Sequence, residues 1–188
     1  MRAVRILGVD PGTVVVGFGC LVLTTRRAAA AASGESRPLA HRVANARAAG
    51  GGRAEYVDAG TLQLGRRRAI QERLLTLARE VGELLDRLQP DELALEEAFH
   101  GRSVQSALRL GEARGVVLAE AARREIAVHQ FPPATVKRSV AGHGAATKEA
   151  VARMVSAALG RSDLELELDA SDALALALCR VEQSRSGI

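Results

Sequence analysis

The chain has 188 residues, 47% of them apolar and 2% aromatic, with no Trp. That is enough for one domain with a core of Leu, Val, Ile and Ala, and it excludes wholesale disorder. No apolar run is long enough to span a bilayer, and the formal net charge of +4 says little until it is placed along the chain.

Residues 101–160 hold nine Lys/Arg against four Asp/Glu, and residues 161–188 hold three against six. A basic middle segment suits a polyanionic partner such as nucleic acid; a solvated surface is the plainer account. The N-terminus lacks the basic, apolar and cleavable pattern of a secretory leader. Cys20 and Cys179 stand far apart in apolar stretches and match no metal spacing, so they read as buried free thiols of a cytoplasmic protein.

In chain order, Val4–Asp10 and Thr13–Leu23 read as two strands joined at a Pro-Gly turn. Residues 26–53, with "AAAAASG" and "AGGGR", have no usable periodicity and read as an inserted flexible loop. Glu55–Leu64 resumes as a strand and completes a meander. Ile70, Leu74, Leu77, Val81, Leu84, Leu85 and Leu88 form one helical stripe over Arg67–Gln89, which Pro90 ends. "DELALEEAF" (91–99) reads as a short buried strand.

Ser103 then looks like the N-cap of a helix to about Arg124. Its predicted apolar stripe is Val104, Ala107, Leu108, Gly111, Gly115, Leu118, Ala119 and Ala122. Two glycines inside a helix cost about 1 kcal/mol each against Ala. Close approach of another element of the chain, or a subunit interface, accounts for them. "IAVHQF" (126–131) is a strand, and Pro132-Pro133 opens a brief helix through Val140. After the loop "AGHGAATK", Thr147 and Glu149 open a helix to about Leu159. "RSDLELELD" is a linker, and Ala170–Gln183 is the last helix. A meander followed by strand–helix–strand and further helices gives a mixed α/β sheet with helices on its faces.

Asp10 ends the first strand, Glu96 and Glu97 end the fourth, and Asp169 and Asp172 share one face at the start of the last helix. Taken singly, each has an ordinary explanation: a turn, a solvated strand end, first-turn acids complementing the helix dipole. Taken together, they bring carboxylates from three segments to one end of a sheet. Carboxylates so placed must take up protons or collect a cation. Hard oxygen donors suit Mg²⁺ or Mn²⁺, and a pair of such ions serves phosphodiester cleavage. Alternation along the fourth strand leaves Glu96 and Glu97 both open.

"ILGVDPGTVVVGFG", "LALEEAFHGRSVQSALRLGEARGVVLAEA", "VKRSVAGHGAATKEAVARMV" and "DASDALALALC" resemble the RuvC family of bacterial Holliday-junction resolvases, in family order over nearly the whole chain. The resemblance implies a ribonuclease-H-like fold with a mixed five-stranded sheet and helices on both faces. It implies a homodimer that nicks two like-polarity strands of a four-way junction, leaving 5′-phosphate and 3′-hydroxyl ends. It also implies a branch-migration helicase partner of the RuvA and RuvB type. By position, the catalytic and metal-binding acids are Asp10, Glu96, Asp169 and Asp172, holding two Mg²⁺ ions, with Mn²⁺ as a substitute.

By the same resemblance, Phe99 is the aromatic that stacks on bases near the crossover, and Lys137 and Lys148 contact DNA near the scissile phosphate. Arg102, Arg109, Arg138 and His143 are candidate phosphate contacts on charge and loop position. The chain departs from the family pattern at 26–53, where the route between strands is usually shorter. It is expected to be one nuclease domain over residues 1–188 with that insertion. Three other readings compete. One is another ribonuclease-H-like nuclease. Another is a non-catalytic junction-binding module, which predicts a missing ligand. The last is a sugar-kinase or actin-like ATPase, whose phosphate turn resembles "GVDPGT" but whose fold needs two such domains.

Overall fold

The computed structural model describes residues 2–25, 53–97, 104–161, 163 and 165–185. In chain order they form β1 (Arg2–Asp10), β2 (Val15–Thr25), β3 (Arg53–Gln63), α1 (Ile70–Leu88), β4 (Glu92–Glu96), α2 (Val104–Arg123), β5 (Ala127–Phe131), α3 (Pro133–Ala141), α4 (Lys148–Leu159) and α5 (Leu168–Arg185). The sheet order is β3-β2-β1-β4-β5. β1 pairs antiparallel with β2, with Asp10 opposite Gly17, and β2 pairs antiparallel with β3. β1–β4 and β4–β5 are parallel. The C-terminal ends of β1, β3, β4 and β5 therefore share one edge of the sheet. This is the ribonuclease-H-like arrangement that the meander and the later strand–helix units imply.

Period-two alternation divides the core in two. Leu7, Val9, Val16, Phe18, Leu93 and Leu95 pack with Leu77, Val81, Leu85, Ala113 and Val117 of α1 and α2. On the other face, Ile6, Leu21, Leu23 and Ala94 pack with Val140, Val155, Leu174 and Leu178 of α3, α4 and α5. Each fully buried aliphatic side chain contributes about 1.5–3 kcal/mol. α5 is buried nearly all round, from Ala170 to Glu182, as a helix apolar on every side must be. Cys20 and Cys179 are buried free thiols, as expected, and burial pushes both up to about 11.

Helix ends follow local chemistry. The Thr147 hydroxyl accepts from the Ala150 N–H at 3.2 Å, and α4 ends on Gly160 in the left-handed region. The α1 stripe is the one expected: Leu77, Val81, Leu84, Leu85 and Leu88 are buried, with Leu74 partly buried against them.

The α2 stripe is a correction. Its buried face is Ala113, Arg114, Val117, Glu120 and Ala121, whereas Val104 and Leu108 are 77% and 64% exposed. A Cβ at Gly111 or Gly115 would meet nothing within 4 Å, so no close approach within the described residues explains these glycines. The helix has small or apolar residues all round, and periodicity chose the face without charges. The true inner face carries two charges that find partners. Arg114 donates to the Glu96 carbonyl and the Gln130 side chain, and Glu120 pairs with Arg124 at 2.6 Å. The expected Ser103 cap and the 26–52 part of the expected insertion lie outside the described residues, while Arg53 belongs to β3.

Candidate functional site

Three glycines let α5 lie directly on the sheet. A Cβ at Gly8 would overlap the Ala173 backbone, one at Gly17 the Asp169 carbonyl, and one at Gly19 the Leu174 side chain. Gly8 and Gly17 matter most for the site, because they seat the first turns of α5 over the end of β1. Asp10 shares its face of β1 with Ile6 and Gly8 and so points at α5. Carboxylate oxygens of Asp10, Asp169 and Asp172 lie within 4.8 Å of one another.

Strand alternation now separates Glu96 from Glu97. Glu92 reaches Arg180 of α5 at 2.8 Å, and Ala94 joins the α5-side core. Glu96, two residues on, faces α5 as well. Leu93 and Leu95 belong to the opposite core; Glu97, just past the end of β4, is exposed and lines the rim of the acid cleft, but it is Glu96 that acts on Asp10. Glu96 is outside the three-acid group but lines the same cleft, which has a volume of about 490 Å³ and is also lined by Asp10, Asp172, Arg114, Lys137 and Lys148.

The electrostatics match the crowding. Burial pushes the Asp10 carboxyl up to about 7; Glu96, Asp172 and Asp169 push the same way, against Lys148. Burial and Asp172 also raise Glu96, opposed by Lys148, Lys137 and Arg114. The Lys148 ammonium stands 2.6 Å from an Asp172 oxygen and 3.7 Å from Asp169. Oxygen donors that strain against ionisation and already attract one cation fit a hard divalent ion, and among the described residues no sulfur or imidazole ligand joins the group.

Lys137 and Lys148 both line the cleft that holds the acids. Arg138 and His143 are exposed, at the end of α3 and in the loop after it; neither lines the cleft. Arg109 pairs with Glu112 on its own helix at 3.0 Å. Phe99 and Arg102 lie outside the described residues. Reading the sequence missed Arg114, which is 8% exposed and ties the end of β4 to α2 and β5. An arginine inside "GEARGVV" is a signal of a buried partner, but the partner, a backbone carbonyl, leaves no mark in the sequence.

Known proteins resemble this chain in sequence and in fold. A family model described as crossover junction endodeoxyribonuclease RuvC matches residues 43–180. A crossover junction endodeoxyribonuclease RuvC from Marinobacter nauticus is 36% identical over 181 residues, 96% of this chain and 87% of the relative. One from Moorella thermoacetica is 37% identical over 174 residues, 93% of this chain and 89% of the relative. The solved structure of Thermus thermophilus RuvC in complex with a Holliday junction substrate superposes with a TM-score of 0.75 at 29% identity, covering 98% of this chain and 96% of that one. The yeast mitochondrial Holliday junction resolvase Ydc2, at 12% identity and a TM-score of 0.56 over 98% of this chain and 82% of that one, shares the fold. With the family model spanning most of its length and relatives above 30% identity end to end, this chain belongs to the RuvC family.

Proposed function

We propose that this chain is a crossover junction endodeoxyribonuclease. It resolves four-way DNA junctions by paired nicks in two like-polarity strands, leaving 5′-phosphate and 3′-hydroxyl ends. The observation that carries this reading is the meeting of Asp10, Asp169 and Asp172, with Glu96 beside them in one cleft, in a chain of the RuvC family.

Asp10, Glu96, Asp169 and Asp172 would hold two divalent ions, Mg²⁺ or Mn²⁺, which supply the Lewis-acid chemistry of phosphodiester hydrolysis. The chain's own part is to place and offset charge. Gly8 and Gly17 bring the α5 acids onto the strand acid. Arg114 fixes the end of β4, and with it the direction of Glu96. Lys148, once released from Asp172, offers a counter-charge to a phosphate in the same cleft, and Lys137 adds a second. Phe99 stacks on a base near the crossover, and Arg102, Arg109, Arg138 and His143 serve as outer phosphate contacts. The domain spans residues 1–188 with 26–52, between β2 and β3, as an insertion. It works in the cytoplasm with a branch-migration helicase of the RuvA and RuvB type.

The protein acts as a homodimer through the outer face of α2. Val104 and Leu108 are exposed there beside Gly111 and Gly115, whose missing side chains leave open space. Gly115→Leu is expected to leave the melting temperature of dilute protein within about 2 °C of wild type while shifting sedimentation toward monomer. A variant that sediments as the wild-type dimer removes this face from the interface.

The deciding experiment incubates the protein with a mobile four-way junction, a plain duplex and an RNA–DNA hybrid, each with and without Mg²⁺. Paired nicks in the junction alone, and only with Mg²⁺, are expected. Equal cutting of duplex or hybrid would replace this reading with that of a general ribonuclease-H-like nuclease.

A further inference from the structure

A second cationic segment occupies the same sheet edge as the acids, on the side away from Lys137. Between β3 and α1 the chain runs Gly65-Arg66-Arg67-Arg68-Ala69, and all three arginines are exposed. The loop is pinned to the turn that follows Asp10. The Leu64 N–H donates to the Val14 carbonyl at 2.8 Å, and Arg73, in the first turn of α1, donates to the Thr13 carbonyl at 2.8 Å. Within the loop, the Arg68 N–H donates to the Gly65 carbonyl at 3.0 Å and its guanidinium to the Thr76 hydroxyl at 3.0 Å.

Nearby carboxylates are otherwise engaged. Glu72 accepts from the Ala69 N–H at 3.1 Å, and Glu167 accepts from the Thr61 hydroxyl at 3.2 Å. Among the described residues, no carboxylate forms an ion pair with Arg66, Arg67 or Arg68. Three adjacent guanidinium groups repel one another, and a tethered loop keeps them together. The arrangement suits a polyanion that spans all three.

Strand spacing sets the scale. Neighbouring strands lie about 4.8 Å apart, so the end of β3, two strands from β1, is about 10 Å from Asp10. β5, which leads into α3 and Lys137, lies one strand beyond β4 on the opposite side. The acids are thus straddled by two sets of cations along an edge about 19 Å wide. Successive phosphates on one strand of B-DNA rise about 3.4 Å along the helix axis and lie farther apart along the backbone itself, so the arginine triplet meets the flanking backbone within about three nucleotides of the phosphate at the acids.

We propose that Arg66, Arg67 and Arg68 form a phosphate-binding site for the duplex arm flanking the cleavage point. The inference rests on the nuclease reading of the acid cluster. It assigns the β3–α1 loop a role in DNA affinity that is independent of base sequence.

The test measures binding of a synthetic four-way junction in EDTA over a series of KCl concentrations. Wild type is compared with R66S/R67S/R68S, with R66S/R67S, which keeps the Arg68–Thr76 bond, and with R66K/R67K/R68K; melting curves check the fold of each. Each lost phosphate contact reduces the slope of log affinity against log salt by about 0.9. The triple serine variant is therefore expected to be shallower by up to about 2.7 and the double by up to about 1.8, while the lysine variant keeps the wild-type slope. Unchanged slopes in both serine variants, with wild type binding normally, overturn this inference alone. So does a lysine variant as shallow as the serine one. A wild-type protein that binds no junction overturns the nuclease reading, and this inference with it.

Discussion

Asp10→Asn is expected to keep junction binding close to wild type and to lower cleavage on the order of 10³-fold or more, about 4 kcal/mol of barrier. The amide matches the carboxylate in shape and removes the charge on which a shared cation depends. The same substitution has a second readout in metal-free protein. Asp10 titrates near 7 in the fold against a usual 3.8, chiefly because it is buried and then because Glu96 and Asp172 crowd it. Below about pH 4 the group is protonated in both states and contributes nothing. Between about 4 and 7 the unfolded chain gives up this proton while the fold keeps it, so rising pH costs stability. Above about 7 the full penalty is in place.

The amide side chain of the variant carries no such penalty. The metal-free variant should therefore melt progressively higher than wild type as pH rises through that window. Adding Mg²⁺ should reverse the order, because the wild type, with all four carboxylates, gains more binding energy on folding than the variant does. Melting temperatures of both proteins from pH 4 to 8, with EDTA or Mg²⁺, check the prediction. Unchanged cleavage by Asp10→Asn would end the proposal for the acid cluster.

Gly8→Ala is expected to destabilise the protein by about 3 kcal/mol or more, the upper end of what overpacking costs. The new methyl would overlap backbone atoms of Ala173 and approach the Ala177 nitrogen, and neither can turn away as a side chain can. Relief requires α5 to lift from β1, and that movement carries Asp169 and Asp172 away from Asp10. Cleavage should therefore fall even under conditions where the variant remains folded. Denaturant midpoints with cleavage rates at matched folded fraction test this. A variant as stable and as active as wild type would show that α5 does not sit as tightly as Gly8 implies.

Much of this molecule was legible in one dimension. The meander, the α1 stripe, the Thr147 cap and the Pro-Gly punctuation follow from alternation, helical spacing and backbone limits, which act over a few residues. The acids could be suspected because carboxylates beside apolar runs are expensive to bury. Their family roles came from motifs, since spacing could not choose between Glu96 and Glu97. The inner face of α2 was misread for a physical reason: Arg114 and Glu120 look like surface residues until the fold supplies a carbonyl, an amide and a guanidinium to meet them.

By itself, then, the order of residues determined the strands and helices, the largely aliphatic core and the set of acids from which a metal site could be drawn. Only the tertiary structure decided which acids meet, which face of α2 is buried, and that Lys148 stands against Asp172 while an arginine triplet flanks the same edge. Local preferences reach about one turn of helix or a pair of strand positions. Convergence of residues 10, 96, 169 and 172 depends instead on parallel pairing of β1 with β4 and on glycines that let a distant helix touch the sheet.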